Sequence, residues 1–265
     1  MSPPELPESP PEVKASLPIP RVPWHPWLGI VFVVVIYFLS QVFSSLLVSI
    51  YPLLRHWSGS QATNWLNNSV SAQFIYVLLA EGLTVGAIYL FLRVHRTNWR
   101  NLGLRRPQAR DPFYGAVTWV VYFIVYLAVV GVIGYLIPSL NVNQHQQIGF
   151  TNVHGVAQLV LTFISLVILP PFTEEVMIRG VLYGSLKKAM PGAGAVIVTS
   201  AIFASAHLPE GGAAGPLYIA AIDTFLLSLA LIYLREKTNS LWAGITLHAF
   251  KNGVAFVALF LLASR

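Results

Sequence analysis

Two adjacent glutamates, Glu174 and Glu175, stand with Arg179 inside an otherwise apolar run from about Val156 to Leu186. A run of that length reads as a membrane-spanning helix. Each charge near the centre of such a helix costs roughly 2.5–3.5 kcal/mol on insertion scales. Three of them in so short a stretch therefore imply a network of partners. Glu175 and Arg179 are four residues apart, share a helix face and can pair. Glu174 points about one helical step away and is left for other work. A carboxylate held between burial, which disfavours its charge, and nearby cations or donors, which favour it, is a natural general base. The plainer alternative is a structural ion pair locking two helices.

Two further constellations repeat the four-residue spacing. Phe203 and His207 share a face at the end of one apolar segment. A histidine there is either an interfacial anchor or a functional imidazole. His248 and Asn252 share a face well inside another segment. Imidazole and carboxamide together can donate to an oxyanion or ligate a metal, or simply hydrogen-bond between helices. At a rise of ~1.5 Å per residue, Glu174 and His207 lie roughly 20 Å from the cytoplasmic ends of their helices, His248 about 10 Å and Asn252 about 16 Å. A tilted helix, or one starting earlier than Leu241, brings them level.

The elements that must position these groups are membrane helices. Of 265 residues, 55% are hydrophobic and 10% charged, and the mean hydropathy is +0.66. A soluble domain carries about 25% charged residues, so the composition predicts an all-α, polytopic transmembrane bundle. Seven apolar spans are expected near 28–50, 72–92, 113–137, 156–186, 193–207, 216–234 and 241–263, and counts from six to eight fit the pattern. Pro170 and Pro171 predict a break in the fourth span just before the glutamates. The fifth is short and runs toward the Gly-rich residues 211–215. Residues 1–26, rich in proline with scattered charges, read as a disordered polar tail, and 27–265 as one transmembrane domain with a catalytic core at about 156–252. The tail has no basic n-region and does not read as a signal peptide. No internal repeat is evident.

The net charge of +6 resides largely in loop arginines, six of them between Arg93 and Arg110. These read as orientation signals in contact with anionic lipid rather than as a nucleic-acid surface. With Lys187, Lys188, Arg235 and Lys237, they place the N-terminus and the arginine loop in the cytoplasm and the C-terminus outside. Tryptophans near span ends, Trp24 and Trp242 among them, fit an interfacial belt. No cysteine is present, which excludes disulfides, thiolate nucleophiles and Cys-based zinc sites. Glu81 and Asp223 lie in spans outside the three motifs and could pair with Arg179, His248 or Lys251. Lys251 points away from the His248 face and is expected to snorkel or pair. His145, alone among Asn and Gln, is a weak metal signal.

The ordered set Glu-Glu-x-x-x-Arg, Phe-x-x-x-His and His-x-x-x-Asn, with Ser240-Leu241-Trp242 before the last histidine, resembles the CPBP family of intramembrane proteases. These are the type II CAAX prenyl endopeptidases and their bacterial relatives, also called the ABI family. The resemblance covers about residues 168–252, and each motif alone is weak. It implies that Glu174 activates a water with His207 as partner, that His248 and Asn252 stabilise the oxyanion, and that Glu175 and Arg179 orient the site. The implied reaction is hydrolysis of a peptide bond within the membrane. The implied substrate is a membrane-embedded peptide or protein, prenylated in the members that give the family its name. The implied location is a multi-pass one, in the cytoplasmic membrane if the chain is bacterial. Zinc is left open: Glu174, His207 and His248 are candidate ligands, but His-Glu-x-x-His is absent. Two other classes of function stay in view. One is a non-catalytic scaffold or bacteriocin-immunity protein, since family likeness does not guarantee activity. The other is a proton-coupled transporter using the acids and histidines as a relay, against which the missing repeat speaks.

Overall fold

In lipid every backbone N–H and C=O must find a partner within the protein, which restricts long apolar segments to helices. The computed structural model describes residues 22–262, apart from residue 143 and residues 145–148. His145, and most of the expected polar tail, lie outside the described residues. Among those described there is no strand, and seven helices are long and apolar enough to cross a membrane. We number the helices α1 (Pro26–Leu54), α2 (Gly59–Asn68), α3 (Val70–Val94), α4 (Trp99–Leu102), α5 (Arg110–Leu136), α6 (Gly155–Ala189), α7 (Gly192–Ala206), α8 (Tyr218–Thr238) and α9 (Trp242–Leu262). The short helices α2 and α4 connect spans, and a 3₁₀ segment, Leu208–Ala214, follows α7. The all-α transmembrane bundle expected from composition is the observed architecture.

Helix α6 is the central element. It packs against α1, α3, α7 and α9, while α5, α8 and α9 pack on one another and α7 on α8. Its second half, from Glu175 to Tyr183, is buried throughout. The outward faces of α1 and α5 carry exposed Phe38, Leu46, Val121 and Ile124, as lipid-facing helices must.

The prolines of α6 do not break it. The helix passes through a π-helical stretch, Ile164–Ile168, resumes α geometry at Leu169 with a proline in its first turn, and turns π-helical again over Glu175–Leu182. The predicted interruption is thus absorbed as a change of helical register. The two missing N–H groups fall where the helix changes register, and they leave upstream carbonyls to find other donors.

The ends assigned to the cytoplasm by loop charge converge on one face. Lys188 donates to the Val22 and Trp24 carbonyls, and Lys187 pairs with Glu236. Val22 and Trp24 are buried, and Trp24 donates to Ser185 at 2.9 Å, so the packed domain begins before the expected boundary at residue 27. The arginine segment is more than an orientation signal. Gly103, at φ +99°, accepts the Leu241 N–H, and a Cβ there would lie 2.6 Å from the Arg235 guanidinium carbon. Arg105 pairs with buried Asp111 at 2.8 Å, and Trp242 donates to the Arg105 carbonyl. Trp24 and Trp242 are therefore packed anchors of this face, not only interfacial aromatics.

Candidate active site

The glutamate pair divides by exposure. Glu175 has a side chain 1% exposed, with Oε1 accepting from Arg179 Nη1 at 2.9 Å. Glu174 is 25% exposed and faces a cavity. One helical step separates them, which is why one carboxylate enters the helix packing and the other does not. The Glu175 carboxylate reaches its place because α9 offers Gly244 there: a Cβ on Gly244 would lie 2.8 Å from Oε2. Arg179 is held from the other side by Phe203, whose ring lies 4.4 Å from the guanidinium carbon, a cation–π contact.

His248, buried on α9, stands between the two glutamates. Its Nδ1 is 3.5 Å from Glu175 Oε1, and its Nε2 is 3.8 Å from Glu174 Oε2. The order Arg179, Glu175, His248, Glu174 is a chain of charge and imidazole, joined by one hydrogen bond at the Arg179–Glu175 end and by longer approaches on either side of His248. The Phe203 ring closes it edge-on, with centroids 6.2 Å from His248 and 5.0 Å from His207. The aromatic of Phe-x-x-x-His is thus the common wall of the other two motifs.

His207 ends α7. Its ring bonds the Phe203 carbonyl at 2.9 Å through Nδ1. A carbonyl only accepts, so Nδ1 carries a proton, and in the neutral ring Nε2 is the acceptor. Nε2 lies 4.0 Å from Glu210 Oε1. Glu174 and His207 line the same cavity, yet among the described contacts the imidazole nearest Glu174 is His248. Asn252, expected beside His248 at an oxyanion, donates from Nδ2 to the Leu166 carbonyl at 2.9 Å. That bond places it on the seam between α9 and α6.

The cavity measures about 790 Å³ and lies among α1, α3, α6 and the end of α7. Apolar walls from Val33, Val77, Met177 and Ile202 enclose a polar end formed by Glu81, Glu174, His207 and Glu210. Motif spacing missed Glu81 and Glu210. Glu81 is an isolated acid in an apolar span, and Glu210 sits in a loop-like segment, so neither has a periodic partner in sequence. Asp223 turns elsewhere: it pairs with Lys251 at 3.2 Å and accepts from the Tyr122 hydroxyl. Lys251 is therefore paired, one of the outcomes expected of it.

A zinc centre needs three or four donors converging at about 2 Å on one point. Among the described residues no three His, Cys, Asp or Glu side chains are so grouped. Glu174, His207 and His248 in this arrangement do not fit such a site, and no step below is routed through a metal.

Fold and site together define an integral membrane protein with a glutamate–histidine centre at an interior cavity. Residues 156–254 match the family model described as Type II CAAX prenyl endopeptidase Rce1-like. Over these residues the chain is similar to that CAAX-protease family, the one its ordered motifs resemble. No curated protein and no solved structure matches the chain.

Proposed function

We propose that the chain hydrolyses a peptide bond of a membrane-embedded substrate, with Glu174 as general base. The observation that carries this reading is the meeting of Glu174, exposed to the cavity, with His248 from a distant helix. Glu174 takes a proton from water, and the resulting hydroxide bonds to the scissile carbonyl carbon. The carbonyl oxygen becomes an oxyanion, stabilised by an N–H of His248. Collapse breaks the C–N bond, and the proton held by Glu174 passes to the leaving amine. His207, with Nε2 as acceptor, shares in handling the water's protons. Glu175 and Arg179 hold the His248 ring in place, as the orienting member of a catalytic set does.

A cavity of about 790 Å³ falls within the range that encloses most of a small ligand. Its apolar walls suit an apolar peptide segment or a chain bearing a prenyl group. The test is incubation of purified, reconstituted protein with prenylated and unmodified peptides, with products read by mass spectrometry. Cleavage by the native chain, lost in folded Glu174→Ala, His207→Ala and His248→Ala variants, is the expected result. Absence of cleavage together with Glu174-dependent ion flux across proteoliposomes would favour the transporter reading. Absence of both, with the alanine variants keeping the cellular phenotype, would favour a scaffold.

A further inference from the structure

Helix α6 creates at the Leu166 carbonyl a backbone acceptor that its own backbone cannot satisfy. The Leu166 carbonyl would receive the N–H of residue 170 in α geometry and of residue 171 in π geometry. Both are proline and have no N–H. The N–H of Leu169, which a 3₁₀ turn would use, is given to the Ile164 carbonyl. Val167 keeps one non-proline donor, the Phe172 N–H, whereas Ser165 shares with Ile164 the single N–H of Leu169. A carbonyl left bare in the hydrocarbon region is costly. The donor that reaches it is Asn252 Nδ2, at 2.9 Å, from α9.

This bond sits in a ladder of close contacts between α6 and α9. Phe256 meets Phe163 edge-on with centroids 5.3 Å apart, and a Cβ on Gly253 would lie 3.7 Å from Val167. Asn252 meets Leu166, and one turn earlier on α9 His248 meets Glu174. We propose that Asn252 is a positioning residue: its donation to the Leu166 carbonyl, orphaned by Pro170 and Pro171, fixes the register of α9 on α6 and so the approach of His248 to Glu174. Its part in catalysis then runs through His248 rather than through contact with the oxyanion. The activity arm of the test rests on the hydrolase reading above, whereas the stability arm does not.

The experiment crosses Asn252→Ala with Pro170→Ala/Pro171→Ala, which restores backbone donors in either register. In the native background Asn252→Ala is expected to lower kcat at least tenfold with little change in KM, and to lower the unfolding midpoint in detergent by at least about 2 °C. In the double-alanine background the same change is expected to cost less than threefold in kcat and to leave the midpoint unmoved. Asn252→Asp, which keeps the shape but cannot donate, should match Asn252→Ala in the native background. An equal loss of kcat in both backgrounds would overturn the proposal in favour of direct action on the oxyanion. A wild-type midpoint for Asn252→Ala alone would also overturn it, even if the double-alanine background fails to fold. A native chain that cleaves nothing sinks the hydrolase reading, and the midpoints still decide for or against the clamp.

Discussion

Glu174 and Glu175 are neighbours with opposite consequences when changed. Glu175 is sealed against Arg179 and His248, and removing one member of a buried ion pair leaves the other uncompensated. Glu175→Gln should therefore cost about 3 kcal/mol, lowering the unfolding midpoint in detergent by roughly 6–12 °C. Arg179→Leu should do the same. Unchanged midpoints would show that the pair is not a structural member. Gly244 gives a finer test, since a methyl there would stand 2.8 Å from Glu175 Oε2. Gly244→Ala should displace the carboxylate, turn His248 and reduce cleavage about tenfold or more, because small misplacements in a catalytic set are expensive in rate. Gly244→Ala cleaving at the native rate would argue that the Glu175–His248 contact does not orient the site.

Among the helices, α6 carries the glutamates and α9 presents the imidazole, so their mutual register decides whether a site exists. A second polar pair, outside the cavity lining, joins Lys251 of α9 to Asp223 of α8. Lys251→Met should destabilise the bundle, and adding Asp223→Asn should recover part of the loss. Additive effects in that cycle would mean that the pair contributes no coupling. Much at this scale was legible beforehand. The i,i+4 spacing of Glu175 and Arg179 gave their pairing directly, and the apolar run lengths gave about seven spans, within a range of six to eight. The response of α6 to Pro170 and Pro171 was not legible, because proline forbids a donor without dictating what replaces it. Here the replacement is a change to π geometry plus a side chain 86 residues away in sequence. Glu81 and Glu210 were missed as cavity residues for a similar reason: lone acids acquire meaning only once helices assemble around them.

At the scale of the whole molecule, seven spans among the described residues put residues 22 and 262 on opposite faces. The face that loop charge assigns to the cytoplasm is the one where Gly103 meets Arg235 and Lys188 meets Trp24. The chain has no cysteine, so single cysteines report topology cleanly. In intact cells a membrane-impermeant maleimide should label Ser139→Cys, after α5, and spare Asn101→Cys, in α4. The reverse pattern would invert the orientation. The central claim is that a cavity-facing Glu174, met by His248, is the base for peptide hydrolysis. Its most direct test is the cleavage rate of purified Glu174→Gln, which keeps the shape and removes the base. The account predicts a native unfolding midpoint with cleavage reduced at least about a hundredfold, toward the lower end of what general base catalysis contributes. A folded Glu174→Gln protein that cleaves at the native rate would contradict it.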